Sequence, residues 1–150
     1  MSSATLSLER SFDAPREAVF AAWTDPEVLR RWWAAGPDWD TPEAEVDLRV
    51  GGGYRLAMRD PGSGDVHVVA GEYTEVVPPE RLAYTWTWEH DSPGSAGSIV
   101  TVLFRDDGHR TTVLLTHTGF TEPAAVARHE HGWGAVLDSL ERRVLAPQRA

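Results

Sequence analysis

Polar and apolar positions alternate along most of this chain. In residues 5–12, Leu6, Leu8 and Arg10 fall on one side and Ser7, Glu9 and Ser11 on the other, the period of a first strand. Asp13-Ala14-Pro15 ends that strand and opens a helix, because aspartate caps helices and proline suits the first turn. Val19, Phe20 and Trp23 share one face of the helix. Asp25-Pro26 repeats the start signal, and Val28, Leu29 and Trp32 line a second short helix. A polar connection spans residues 36–42, after which the period becomes two. Strands are predicted over residues 43–49, 53–59, 66–76, 81–89, 98–105 and 111–118. The breaks carry turn chemistry: Gly51-Gly52-Gly53, Pro61-Gly62-Ser63-Gly64, Pro78-Pro79, Pro93-Gly94 and Asp106-Asp107-Gly108. A last, longest helix opens at Pro123 and runs to Val144 or Leu145. Val126, His129, Trp133, Val136, Leu137, Leu140 and Val144 recur there at steps of three and four.

Short loops between consecutive strands favour antiparallel hairpins. A sheet with one apolar face must cover it, and only the last helix is large enough. The expected architecture is α+β: a long antiparallel sheet curled around the C-terminal helix, with two short helices after the first strand. A cavity would form in the gap between sheet and helix, closed at one end by the short helices.

Composition narrows the chemistry. The chain has 150 residues, room for one domain, with about 5–146 expected to be structured. It has no cysteine and no lysine, which excludes disulfides, thiolate metal sites, Schiff bases and the P-loop lysine. Fourteen arginines against 23 acids leave a net charge of −9, which repels nucleic acid and anionic membranes. Residues 1–10 lack the apolar stretch of a signal peptide, and the longest uncharged run, 92–104, is rich in Ser, Gly and Thr. A cytoplasmic location, without membrane insertion, is expected.

Seven tryptophans are the outstanding feature: Trp23, Trp32, Trp33, Trp39, Trp86, Trp88 and Trp133. They either fill a core or ring a hollow. Leu82, Tyr84, Trp86 and Trp88 share one face of a strand, as do Tyr54, Leu56 and Met58 of another. Their polar tips need partners when buried, and polar tips in an apolar cleft describe a small-molecule pocket. Nucleophile and dinucleotide motifs are absent: no serine sits in Gly-x-Ser-x-Gly, and Gly51 and Gly53 are followed by Leu56 where a third glycine belongs. His129-Glu130-His131 has the wrong spacing for a helical metal pair. No metal or cofactor is expected, although His67, His117 and His129 could meet from separate elements. His90 and His109 fall in loops and are expected to be solvated. His129 shares the apolar face of the last helix with Trp133, as a core histidine or as a polar group lining a pocket. Asp47 and Arg49, two apart on a predicted strand, can pair. Glu72 and Glu75 lie on opposite faces of another strand, so one of them would point inward.

Several segments together resemble a known family. They are Phe12-Asp13-Ala14-Pro15, Val19 to Pro26 with Trp23-Thr24-Asp25-Pro26, Arg31-Trp32-Trp33, and Asp47 to Gly52. Further along come Glu75 to Leu82 with Tyr84-Thr85-Trp86, Leu115 to Phe120, and His129-Glu130-His131-Gly132-Trp133 with Leu137 and Leu140. The chain is similar to bacterial proteins related to the C-terminal domain of the activator of the Hsp90 ATPase. These lie within the helix-grip superfamily of START lipid-transfer domains, polyketide cyclases and the birch-pollen-allergen fold. The resemblance implies the helix-grip (START-like) fold and a cavity between sheet and C-terminal helix. By position it implies Trp32, Trp33, Tyr54, Met58, Trp86, Trp88, His117, His129 and Trp133 as ligand-binding residues. Hsp90-stimulating members need an additional N-terminal domain. The chain shows none, so a chaperone role is not expected.

Three functions follow in order of expectation. The first is a binder of a small hydrophobic or aromatic molecule, acting as monomer or homodimer. The second is a cyclase, dehydratase or hydrolase of polyketide-like substrates, which needs His129 or His117 paired with an inward Glu or Tyr. The third is a chaperone-linked interaction module, which needs an exposed apolar patch.

Overall fold

Short connections set consecutive strands side by side, and from the second strand onward the observed sheet follows that rule. The computed structural model describes residues 4–90 and 94–145. β1 (Ala4–Phe12) is followed by α1 (Arg16–Thr24) and α2 (Pro26–Trp32). Then come β2 (Asp40–Val46), β3 (Gly53–Arg59), β4 (Val66–Val77), β5 (Arg81–Trp88), β6 (Ser98–Asp107) and β7 (Arg110–Phe120), and finally α3 (Pro123–Arg143). All pairings are antiparallel, in the order β1-β7-β6-β5-β4-β3-β2. The curved sheet holds α3 in its concave face, which is the α+β helix-grip arrangement. Trp133, Val136, Leu137 and Leu140 of α3 are buried against Leu6, Val100, Val102, Val113 and Leu115 of the sheet. Among the described residues no helix is long and apolar enough to cross a membrane.

The helix starts differ from one another. Asp25 caps α2 as its sequence predicts, accepting from the Glu27 amide at 2.9 Å, with Pro26 in the first turn. Asp13 does not cap α1. Pro15 occupies that position and its carbonyl receives the Ala18 and Val19 amides. Proline in this place fixes the extended backbone and leaves the aspartate too far upstream.

β2 runs earlier than the alternation suggests. It begins at Asp40, whose carboxylate is bound by Arg59 across the ladder, and breaks register between Asp40 and Glu43. Pro42 lacks an amide hydrogen and is tolerated because β2 is an edge strand. At the far end the chain leaves the ladder after Val46. Gly52 is required there, since a Cβ would lie 2.1 Å from the Asp47 carbonyl oxygen. Asp47 and Arg49 do pair, at 3.0 Å, but in this exposed loop and not on a strand face.

Neither Glu72 nor Glu75 points inward. Glu72 is exposed, and Glu75 is half-buried and bound by Arg81. An irregularity between Tyr73 and Glu75 shifts the β4–β5 register. Tyr73 takes the buried position.

Candidate functional site

α3 packs closest to β1, β7 and α2, and meets β5 through long side chains, Trp133 against Trp86 and His129 against Trp88. Beside these contacts a cavity of about 410 Å³ opens. The sheet contributes Met58, His67, Trp86 and Trp88. α3 contributes Arg128, His129, Gly132, Trp133 and Val136. The connection after α2 supplies Trp33, Ala35 and Trp39, and His90 completes the rim beyond β5.

Of the residues singled out from sequence, Trp33, Met58, Trp86, Trp88, His129 and Trp133 meet around this space. Trp32, Tyr54 and His117 do not line it. Trp32 and Trp33 are neighbours at a helix end, and consecutive helical positions diverge by about 100°. Trp33 therefore faces the gap, while Trp32 lies fully buried, with its indole N–H donated to the Ala22 carbonyl at 2.8 Å. Tyr54 belongs to a tyrosine cluster deeper between sheet and short helices. Its ring centroid is 5.1 Å from that of Tyr84 and 5.7 Å from that of Tyr73. The Tyr54 hydroxyl donates to the Thr85 carbonyl, and Trp23 donates to the Tyr84 hydroxyl at 3.3 Å. Gly71 lets β4 approach that carbonyl, since a Cβ there would sit 2.0 Å from its oxygen. The space left in this cluster is only about 10 Å³. Burial pushes the hydroxyls of Tyr54, Tyr73 and Tyr84 above the ordinary tyrosine range.

His117 lies behind the cavity wall, fully buried, with ring centroids 5.3 Å from Trp86 and 6.3 Å from Trp133. Trp133 donates its indole N–H to His117 Nδ1 at 3.1 Å. Because an indole nitrogen only donates, Nδ1 is bare, and Nε2–H donates to Ser98 Oγ at 2.7 Å. His129 carries the opposite tautomer. Its Nδ1–H donates to the Ala125 carbonyl at 2.8 Å, and its bare Nε2 accepts from Trp88 Nε1 at 3.0 Å. Burial, with His129 nearby, pushes His117 down to about 3. Burial holds His129 below the usual histidine range as well, with the Arg128 charge adding to the effect. Both rings are thus neutral, and the lone pair a general base would use is occupied in each.

This arrangement decides several of the sequence alternatives. His129 is both a core histidine, with two satisfied nitrogens, and part of the cavity wall. Neither imidazole is hydrogen-bonded to a carboxylate or a tyrosine, so the pair that an acid–base reaction would need is not assembled among the described residues. Nor does any group of three or more histidine or carboxylate side chains converge as a metal site among the described residues; His67, His117 and His129 do not form one.

The rim was not legible as a site. Trp39 stacks on His67 with centroids 5.9 Å apart, His67 meets His90 edge-on at 5.3 Å, and His90 stacks on Trp88 at 5.2 Å. His90 is exposed but forms part of this aromatic arc and is not merely a solvated loop residue. A parity signal existed for His67, which shares alternation with buried Val69 and Tyr73 and pairs with Met58. For Trp39 the signal was a large aromatic in an otherwise polar connection.

Comparisons with known proteins agree with this fold. A protein from Chromobacterium violaceum is 28% identical, with a TM-score of 0.81 over 96% of this chain and 99% of that one. The AHSA1 protein of Silicibacter pomeroyi is 31% identical, with a TM-score of 0.79 over 93% and 96%. An HSP90 activator from Plasmodium falciparum is 28% identical, with a TM-score of 0.70 over 92% and 94%. No functionally curated protein matches the chain. The family model described as activator of Hsp90 ATPase homolog 1-like protein matches residues 13–144, nearly the whole described fold, and the chain belongs to that family.

Proposed function

We propose that this protein holds a small hydrophobic or aromatic molecule in the cavity between β3–β5 and α3. One observation carries the reading: about 410 Å³ of space walled by Trp33, Trp86, Trp88, Trp133 and Met58. Small-molecule pockets measure roughly 300–1,000 Å³ and are mostly apolar with a few polar groups. A protein that needed these indoles only as core would gain stability by closing the space, because voids forfeit packing. Gly132 supports the same reading. Glycine inside a helix costs about 1 kcal/mol relative to alanine. Here a Cβ would meet nothing within 4 Å, so the residue leaves room at the cavity wall.

The test is native mass spectrometry of the purified protein, followed by a panel of lipids and aromatic compounds monitored by tryptophan emission. Co-purifying mass or saturable quenching is expected. The Gly132→Leu variant should fold at least as well and lose the response. Retained binding in Gly132→Leu, or no response to any compound, overturns the reading. Among the described residues the exposed large apolar side chains, Leu48, Val50, Val66 and Val77, lie in the β2–β3 loop and at the two ends of β4, and favour no chaperone-docking patch.

A further inference from the structure

Two indoles of the cavity wall are held by bare imidazole nitrogens. Trp88, the last residue of β5, donates Nε1–H to His129 Nε2 at 3.0 Å and so ties the sheet to α3 beside the cavity. Trp133 donates to His117 Nδ1 at 3.1 Å behind the wall. An indole nitrogen only donates, and a protonated imidazole donates from both nitrogens. Each contact therefore exists only while its histidine is neutral. The Ala125 carbonyl holds His129 Nδ1–H at 2.8 Å, so an added proton lands on Nε2, against the Trp88 N–H.

The two contacts differ in access. His117 is 0% exposed and Trp133 is packed into the core, whereas His129 is 7% exposed at the cavity surface and Trp88 is only half-buried. Burial keeps His117 neutral down to about 3. A charge on His129 can instead be met by water once Trp88 turns aside.

The surroundings of His129 give an added proton no other partner. On α3 its neighbours Arg128, Glu130 and His131 are exposed, and Glu122, two turns earlier, lies against Gly94. β7 presents His117, with centroids 5.3 Å apart, and Phe120. β5 presents Trp86 and Trp88, while Glu89 is held by Arg55. His67 and His90 stand at the mouth. Among the described residues no carboxylate is hydrogen-bonded to His129, and the Arg128 charge opposes a further proton.

Resting on the reading above, we propose that the Trp88–His129 contact is a proton-operated latch on the cavity. With His129 neutral the indole is held against α3 and the occupant is retained; with His129 protonated the two N–H groups confront each other, Trp88 swings away, and the occupant is released. Binding to the latched form must then expel a proton below the midpoint of His129 in the folded protein. Affinity is flat above that midpoint and falls as pH drops through it, and by reciprocity a bound molecule holds His129 neutral to lower pH.

The probe is naphthylmethanol, which carries no titrating group of its own. It is titrated calorimetrically into the full chain from about pH 7.5 to about pH 5, the range over which histidine switches charge. Circular dichroism marks the part of that range in which the chain is folded. Affinity is expected to fall about tenfold across it. Without ligand, heteronuclear NMR should show the Trp88 indole N–H and His129 Nε2 shifting with one midpoint. The His129→Gln variant keeps an acceptor for the indole but takes up no proton, so its affinity should not change with pH; His90→Gln should keep the acid dependence of the parent. An affinity that is constant throughout the folded range, a Trp88 resonance that stays still while His129 titrates, or a His129→Gln variant as acid-sensitive as the parent overturns the latch and leaves the cavity reading standing. No binding at any pH overturns both.

Discussion

The two ends of the grip are built from the same kinds of side chain and come out opposite. Around Tyr54, Tyr73 and Tyr84, rings meet at 5.1–5.9 Å and the remaining space is about 10 Å³. Around Trp86, Trp88 and Trp133 the rings are no farther apart, at 5.0–5.2 Å, yet about 410 Å³ stays open beside them. The difference lies in what stands beside them. α1 and α2 bring Trp23, Leu29 and Trp33 down onto the tyrosines. The lining beside the tryptophans includes Gly132 and small Ala35. Aromatic content alone therefore does not tell a core from a container; the size of the neighbouring residues does.

Trp33 lines both spaces and is the partition between them. The Trp33→Ala variant removes it, and a large core truncation of this type costs about 3–5 kcal/mol. Urea denaturation should show that loss, and naphthylmethanol should bind a merged, looser space more weakly. An affinity unchanged from the parent would mean that Trp33 is not a wall.

Acid should act next most strongly, and on the open end. His117 is held neutral with its pKa pushed from 6.5 down to about 3, and His129 is lowered too. In the unfolded chain both titrate near 6.5, so below that pH the unfolded state binds more protons and stability falls. The loss begins as pH drops through about 6.5 and, for His117, continues until the folded ring itself protonates near 3. The slope approaches about 1.4 kcal/mol per pH unit for His117, and His129 adds to it in the same direction. In His117→Gln, stability at neutral pH should be lower but its acid slope shallower; equal slopes would sink the assignment.

Smaller changes separate the ends. The Tyr54→Phe variant removes the hydroxyl bonded to the Thr85 carbonyl and should cost about 1 kcal/mol by denaturation, with no effect on ligand affinity. The Arg143→Ala variant acts at the mouth. Arg143 donates to the carbonyls of Gly36 at 3.2 Å and Pro37 at 2.5 Å, and so ties the connection bearing Trp39 to α3. A loss of about 0.5–1 kcal/mol is expected, with faster amide exchange confined to that connection.

Most of the architecture was legible because alternation and turn residues act locally. The period-two runs ending at Gly51-Gly52-Gly53 or Asp106-Asp107-Gly108 gave strands whose ends moved by only a few positions. The site was legible in part. Trp86, Trp88 and Met58 follow from strand parity, and His129 and Trp133 from the helix stripe. Trp32 and His117 show the limit: each lies on an apolar face, but an apolar face has depth, and one ring can stand behind another. The tautomers of His117 and His129 depend on which indole reaches which nitrogen, and that is settled by tertiary approach, not by spacing along the chain.

In the strand order β1-β7-β6-β5-β4-β3-β2, every seam but one joins consecutive strands. The exception stitches the hydroxyls of Ser11 and Thr112, 101 positions apart, at 3.0 Å. Loop-closure entropy is thereby concentrated in the β1–β7 seam, so hairpins from β2 to β7 can zip first and the N-terminal strand docks last. Pulsed hydrogen exchange during refolding should find β1 amides protected after those of β4 and β5. Since α3 rests on β1 as well as β7, the vessel is sealed on its far side only when the chain's first strand arrives.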